Sequence, residues 1–97
     1  MSVRSKFQFR LFVAPGTINS AEAIANLNAL CRKHLAGRHE IEVVDVFREP
    51  QRALAEQIHM TPTLLKLAPN PAARIVGTLS HTQRVLETLG LAAADAA

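Results

Sequence analysis

Few side chains in this chain of 97 residues have the type and spacing that catalytic chemistry needs. Cys31 is the only cysteine, which excludes an internal disulfide and a CxxC dithiol. The four histidines lack the H-x3-H and HExxH spacings that would place two imidazoles on one helix face. They are His34, His39, His59 and His81. With no Ser/His/Asp set and no glycine-rich phosphate loop, we predict no catalytic residue, no metal site and no cofactor.

The composition is that of a soluble globular protein. Hydrophobic residues make up 48% and charged residues 20% of the chain, and the formal net charge is +3. Because the basic residues are scattered and only four residues are aromatic, the sequence does not indicate nucleic-acid binding. No segment approaches the ~20 apolar residues that span a bilayer, and the start lacks the apolar core of a signal peptide. We expect a cytoplasmic protein with one domain, 1–97, a core over about 7–91 and a frayed tail at 92–97.

The elements that must position any site begin with a strand and an amphipathic helix. Apolar residues recur at every second position over 7–13, the period of a strand with one strongly buried face. A loop containing proline and glycine follows, and Asn19 or Ser20 is expected to cap the helix, with Glu22 completing a capping box with Asn19. Apolar residues then recur at spacings of three and four, and Gly37 is expected to end the helix.

A second strand and a second helix come next. The strand is predicted at 40–47, and its clustered valines indicate that it is covered on both faces, as central strands are. Pro50 fits the first turn of a helix at about 50–58, in which Leu54 and Ile58 form a narrow apolar stripe. Strand, helix and strand of these lengths predict a βαβ unit with a right-handed crossover.

The C-terminal part predicts a hairpin and a last helix. Strands at 63–67 and 73–77 flank a proline-rich turn. Ser80 and Gln83 have the spacing of a capping box, and Gly90 can end the helix that follows. The residues that line the buried face of this helix are Val85, Leu86 and Leu89. The order βαβ, helix, ββ, helix is that of a thioredoxin-like α/β fold, with a mixed four-stranded sheet and helices on both faces.

In thioredoxin-like enzymes the reactive cysteine lies in the loop after the first strand, where the helix N-terminus lowers the thiol pKa. That loop reads APGTINS here and contains no cysteine. Thr17 or Ser20 can replace the thiol as a hydrogen-bond donor, but neither can exchange disulfides. Cys31 falls on the apolar stripe of the helix and is predicted to be a small buried hydrophobe. Two alternatives stay open: a redox protein that uses the single thiol of Cys31, and a sensory module with a small ligand in this loop.

Four further positions in the C-terminal half are candidates for a site. Pro62 starts the third strand, and in thioredoxin-like folds a proline here is typically cis, with the backbone of Thr61 presented to whatever occupies that face. Lys66 and Arg74 are expected to be near neighbours across the hairpin, where two like charges repel unless an acidic partner lies between them. They are either solvated charges or a partner-binding patch.

Four stretches of the sequence resemble one family. They are LFVAPGTINS at 11–20, VVDVFREPQ at 43–51, MTPTLLKLAPNPAARIVGTLS at 60–80 and VLETLGL at 85–91. On these motifs the chain resembles the KaiB family of circadian-clock proteins over roughly 7–91, and the sensor domain of the kinase SasA is similar. The four motifs together are specific, whereas any one of them alone would be weak.

The resemblance implies a non-catalytic adaptor that binds the ATPase KaiC and regulates its phosphorylation, with a KaiA-like protein or a histidine kinase as further partners. It also implies a resting homo-oligomer, a dimer or tetramer, in which the C-terminal half is rearranged; two packings of one sequence are physically allowed. Thr61, Pro62, Thr88 and Gly90 would belong to the region that switches between the two forms. The assembly surfaces would use Lys66 and Arg74, which match basic positions of the family.

The chain departs from the family pattern at several of these positions. Ala21 and Glu22 stand where the family has a basic residue, and Thr78 and His81 replace two carboxylates. The stretch 88–90 reads TLG where the family has GLD. Because glycine disfavours a helix interior, threonine at position 88 is expected to favour the last helix slightly. These departures raise the alternative of a diverged, redox-inactive sensory or interaction module outside a clock.

Overall fold

The computed structural model describes residues 6–91. Within this range the chain forms four strands and three helices in the predicted order. The strands are β1 (Phe7–Val13), β2 (His39–Asp45), β3 (Thr63–Ala68) and β4 (Ala73–Val76). The helices are α1 (Ile18–His34), α2 (Pro50–Ala55) and α3 (Thr82–Leu89). The tail predicted to be frayed, 92–97, lies outside the described residues.

The four strands form one mixed sheet in the order β2-β1-β3-β4, as the sequence predicts. β1 pairs in parallel with β2 and antiparallel with β3, and β3 pairs antiparallel with β4 in the predicted hairpin. β1 is therefore a central strand, paired on both edges. Because the third strand lies beside β1, the C-terminal half of the chain is built directly onto the N-terminal βαβ unit.

The prediction that the second strand is covered on both faces is wrong. β2 lies at the edge of the sheet and ends at Asp45, before Val46 and Phe47. Val44 is buried between the sheet and α2, but the side chain of Val43 on the other face is 46% exposed. The run of valines indicated central burial because apolar composition does not distinguish a central strand from an edge strand with one solvated face.

Alternation along β1 divides the core into two layers. The larger cluster combines the odd-numbered residues of β1 with apolar residues of α1 and α3. The smaller one lies on the opposite face, where Phe12 packs with Val44, Ala53 and Leu65 under α2. Helices therefore cover both faces of the sheet. Over residues 6–91, none of these helices combines the length and apolar character needed to cross a bilayer.

α1 begins earlier and ends earlier than predicted. Its N-cap is Thr17, whose Oγ1 accepts a hydrogen bond from the backbone N–H of Ser20 at 3.4 Å. The predicted caps, Asn19 and Ser20, and the predicted capping box of Asn19 with Glu22 are wrong, because all three residues lie inside the helix. The helix ends at His34, and Gly37 lies in the following turn with a φ of +74°. Sequence spacing alone did not separate the several hydroxyl and amide residues that precede the apolar stripe.

α2 is shorter than predicted and uses a different face. It runs from Pro50 to Ala55, and its buried residue is Ala53, not Leu54. Leu54 is 75% exposed, so the predicted stripe is wrong at that position, whereas Ile58 does pack against the smaller core cluster from beyond the helix. One residue turns a helix by about 100°, so burying the small Ala53 against the sheet directs its neighbour to solvent.

α3 is capped differently at its start and as predicted at its end. The predicted capping box of Ser80 and Gln83 is wrong: the N-cap is His81, with no side-chain capping bond. Ser80 Oγ accepts instead from Thr78 Oγ1 at 3.1 Å. At the other end Gly90 adopts the left-handed conformation, with a φ of +83°, that a terminating glycine supplies. The predicted buried face is confirmed at Val85, Leu86 and Leu89.

Candidate functional site

The loop between β1 and α1 holds no nucleophile, because its hydroxyl groups are used to build the loop. Thr17 Oγ1 donates to the carbonyl of Ala14 at 2.8 Å and also accepts from Ser20 N. Ser20 Oγ is buried and accepts from the backbone N–H of Ala14 at 3.0 Å. Both hydroxyls that the sequence singled out as substitutes for a thiol therefore tie the loop to the first turn of α1.

Cys31 is buried in α1, as predicted. Its side chain is 0% exposed and belongs to the larger core cluster. Burial disfavours the thiolate and raises the pKa of the Cys31 thiol to about 11. The thiol is therefore protonated at neutral pH and out of reach of a second thiol, which is the opposite of a reactive cysteine.

An open groove of about 560 Å³ runs between the β1–α1 loop and the free edge of β2. Residues that line it include Val13, Pro15, Ile18, Ile24, Val43 and Asp45. Ile18 on its rim is 76% exposed. None of the described lining residues is basic, and Oδ1 of Asp45 already accepts from the backbone N–H of Phe47 at 2.8 Å. The groove therefore suits an apolar side chain of a partner better than an anionic ligand.

The start of β3 carries the predicted cis bond. The Thr61–Pro62 peptide is cis, and Pro62 is fully buried. The carbonyl of Pro62 accepts from Gly77 N at 2.9 Å, which closes the far end of the β3–β4 ladder. Thr63 Oγ1 donates to the carbonyl of Met60 at 2.6 Å. These backbone contacts fix where β3 begins relative to β4.

Lys66 and Arg74 are not neighbours, contrary to prediction. In the β3–β4 register Lys66 pairs with Ala73, and Arg74 pairs with Leu65. Because side chains alternate along a strand, this offset places the two cations on opposite faces of the sheet. They therefore form neither a repelling pair nor one common patch in this structure.

Lys66 lies inside the protein beneath the end of α3. Its side chain is 3% exposed, and its Nζ donates to the carbonyl of Leu89 at 3.2 Å. The same Nζ lies 5.6 Å from the ring centroid of Phe7, and the guanidinium of Arg38 approaches that ring at 5.7 Å. Burial lowers the pKa of the Lys66 ammonium. The sequence did not indicate this burial, because a lysine in a short strand is expected to face solvent.

Arg74 caps the other short helix. Its Nη2 donates to the carbonyl of Glu56 at 2.6 Å and its Nη1 to that of Gln57 at 3.3 Å, just beyond α2. Gln57 adopts a positive φ of +56°, a conformation that places its carbonyl toward the guanidinium at an energetic cost for a residue with a Cβ. The Arg74 side chain remains exposed, so a partner can still reach it.

Three of the positions at which the chain departs from the family pattern border a second groove of about 460 Å³ beside α3. Thr78, His81 and Thr88 line it together with Arg84. Thr88 Oγ1 donates back to the carbonyl of Arg84 at 2.9 Å. Asn26 of α1 donates to the carbonyl of Thr78 at 2.8 Å and so holds this loop against the helix. None of the described lining residues is acidic, so this groove is neutral to basic.

A charged network on the α2 face was not predicted from the sequence. Glu42 on β2 binds Nε of Arg10 at 2.8 Å and Nη1 of Arg52 at 2.8 Å. Hydrogen bonds from Arg52, and then from Arg10, hold the pKa of the Glu42 carboxyl near 2. The network joins β1, β2 and α2. In the described part of the chain, no three His, Cys, Asp or Glu side chains are grouped so that they could hold a metal ion.

Comparison with known proteins gives one consistent result. The KaiB domain family model matches residues 10–91. The circadian clock protein KaiB3 of Synechocystis is 40% identical over 87 residues, covering 90% of this chain and 83% of the relative. The circadian clock oscillator protein KaiB of Thermosynechococcus vestitus is 39% identical over 89 residues, covering 92% of this chain and 82% of the relative.

Solved structures show the fold. The N-terminal domain of Synechococcus elongatus SasA matches with a TM-score of 0.73 at 19% identity, covering 98% of this chain and 90% of that one. A chloroplastic thioredoxin z matches with a TM-score of 0.75 at 22% identity, covering 94% and 81%. The predicted thioredoxin-like fold is therefore confirmed, although its β1–α1 loop carries hydroxyl groups in place of the cysteines.

Proposed function

Because the chain belongs to the KaiB family, we propose that it is a clock protein that acts as a non-catalytic adaptor. It binds a KaiC-type ATPase and regulates the phosphorylation state or the signalling output of that ATPase. A KaiA-like protein or a histidine kinase is a further partner, and the chain acts in the cytoplasm as a single KaiB-like domain. The observation that carries this proposal is the match of the KaiB family model to residues 10–91. The chain is also 39–40% identical to curated circadian clock proteins.

The chemistry of the described residues supports a binding function. The loop that supplies the nucleophile in thioredoxin-like enzymes contains Thr17 and leads into Ser20, and both hydroxyls are already hydrogen-bonded. The thiol of Cys31 is buried and protonated at neutral pH, which argues against the alternative of a single-thiol redox enzyme. An exposed apolar groove remains, and exposed apolar surface of this kind marks docking sites.

Lys66 and Arg74 keep their proposed roles in assembly, but in different ways. Arg74 is exposed and can accept an acidic partner residue in the present form. Lys66 is buried under α3 and can do so only in a form in which α3 has left the sheet. We propose that such a form is the resting homo-oligomer, a dimer or tetramer with a rearranged C-terminal half, to which Thr61, Pro62, Thr88 and Gly90 also belong.

The test is co-elution of the protein with its cognate KaiC-like hexamer, measured with ATP and with ADP. We expect a complex in one nucleotide state. Ile18→Asp, on the groove rim, should lower the affinity for the hexamer about tenfold or more and so reduce co-elution, because it introduces a charge into an apolar contact. Leu54→Asp is the matched control: Leu54 is 75% exposed against 76% for Ile18, but it lies on α2, on the other face of the sheet. Absence of a complex in both nucleotide states contradicts the proposal.

A second candidate is a redox-inactive sensory or interaction module outside a clock. Thr78 and His81, beside Arg84, favour it, because the groove they border has no acidic lining residue where the family pattern has carboxylates. Such a module would bind a histidine kinase or another protein instead of the ATPase. Co-elution with the kinase and not with the ATPase would support this candidate over the first.

A further inference from the structure

The C-terminal end of α3 lacks a cation of its own. The helix has eight residues, and its last turn contains no basic side chain. The carbonyls at a helix C-terminus carry partial negative charge and have no partners within the helix. Lys66 supplies the missing cation from β3, a strand that precedes the helix: its Nζ donates to the carbonyl of Leu89, the last residue of α3.

α2 is held in a parallel way on the opposite face. Arg74 of β4 donates to the carbonyls of Glu56 and Gln57 at the C-terminal end of α2. The register that separates Lys66 from Arg74 therefore gives each face of the hairpin one cation and each short helix one cap. The two contacts share no residue, and they join the hairpin to helices in different core clusters.

We propose that the β3–β4 hairpin carries two independent latches, and that the Lys66 latch controls a local opening of α3 that leaves α2 in place. In the closed form the ammonium of Lys66 is buried, and its described contacts are one carbonyl and the ring of Phe7, with no carboxylate. When α3 departs, water replaces the lost hydrogen bond and hydrates the charge. Hydration of the freed charge offsets only part of the free energy that the broken hydrogen bond costs, so the contact between Lys66 and Leu89 still holds α3 closed.

The chain contains a native reporter of this opening. Cys31 is the only thiol, is 0% exposed, and shares the larger core cluster with Val85, Leu86 and Leu89 of α3. α2 contributes nothing to that cluster, because its buried residue, Ala53, lies in the smaller one on the other face. Thiol labelling under native conditions therefore follows the departure of elements on the α1 and α3 face and is insensitive to α2.

The test compares Lys66→Met with Arg74→Met by labelling Cys31 under native conditions with a disulfide reagent. We expect Lys66→Met to accelerate labelling about tenfold or more, the effect of losing one hydrogen bond from a charged donor. Arg74→Met should leave the labelling rate within about twofold of the wild type. Hydrogen exchange should show the reverse at the Ile58 amide, which donates to Ala53 O at 2.9 Å and should exchange faster only in Arg74→Met.

Two results would overturn the latch. One is a wild-type labelling rate in Lys66→Met, and the other is equal acceleration in both variants, which would indicate global unfolding. If Lys66→Met does not fold, Lys66→Gln takes its place, since glutamine keeps an N–H donor but not the charge. Labelling of Lys66→Gln about threefold or more faster than wild type, with slow labelling retained in Arg74→Met, supports the latch. Equal rates in Lys66→Gln and the wild type refute it.

Discussion

Lys66 and Arg74 are on opposite faces of one hairpin, and each donates to the carbonyl end of a different helix. Both residues match basic positions that we propose for assembly, yet in this form both have intramolecular partners. The hairpin is therefore the structural centre of the C-terminal half: the two cations bind α3 on one face and α2 on the other. A rearrangement of either helix changes which cation is available to a partner.

Stability measurements can distinguish the N-cap at Thr17 from a cap at Asn19, which the sequence predicted. Thr17→Ala should lower the free energy of unfolding by about 1 kcal/mol, because the N–H of Ser20 loses its acceptor. Asn19→Ala is the matched control and should change stability by less than about 0.5 kcal/mol, since Asn19 lies inside α1 with its side chain exposed. Urea denaturation of both variants measures the difference. Equal losses would mean that the cap lies elsewhere.

The thiol of Cys31 should be unreactive in the native protein. With a pKa near 11 in place of 9.0, its thiolate fraction near neutral pH is about a hundredfold lower than that of a free thiol, and burial slows labelling further. We expect native labelling at least about a hundredfold slower than labelling in denaturant at the same pH. A rapid native reaction whose rate does not fall as the pH is lowered would reveal a reactive thiolate with a low pKa and favour the single-thiol enzyme.

Glu42 should make stability depend on acid pH. Its folded pKa is near 2 and its ordinary value is 4.5, so the ionised form is favoured in the folded state. The stabilisation is present above about pH 5 and is lost as the pH falls toward 2. Thermal melts of wild type and Glu42→Gln should differ by no more than about 5 °C at pH 7, because the network is solvent-accessible.

The difference in melting temperature between wild type and Glu42→Gln should disappear near pH 2. Glu40→Gln is the control for removing one carboxylate from the same strand, because Glu40 pairs with Lys6 at an exposed position, away from the network of Glu42. A Glu42→Gln difference that stays constant across the pH range would show that the side chain acts through packing instead of charge.

The end of α3 should depend on glycine at position 90. Gly90→Ala places a Cβ on a residue with φ +83°, which should cost about 1 kcal/mol although the space around it is open. Thr88→Ala, two residues earlier, should be neutral or slightly stabilising, since alanine is the better helix former and the lost hydroxyl bond returns to the same helix. In denaturant titrations, the free energy of unfolding should fall in Gly90→Ala and should stay the same or rise slightly in Thr88→Ala.

Much of the fold followed from local pattern. The period-two stretch of β1, the hairpin of β3 and β4, and the buried face of α3 were all predicted, because one covered face imposes its periodicity on the sequence. Gly90 was identified because few other residues accept a left-handed cap. The predicted N-caps of α1 and α3 were wrong. At the start of α1, for example, residue type does not distinguish Thr17 from Asn19 or Ser20 as the cap.

The sequence by itself determined the order of the elements, the absence of a cysteine in the β1–α1 loop, and, through its motifs, the KaiB family. The tertiary structure decided which strand lies at the edge and therefore that Val43 is exposed. It also decided that Lys66 is an internal cap, because the carbonyl that Lys66 binds belongs to Leu89, 23 residues along the chain. Burial of a side chain depends on neighbours that packing brings from distant parts of the chain, and no local period encodes them.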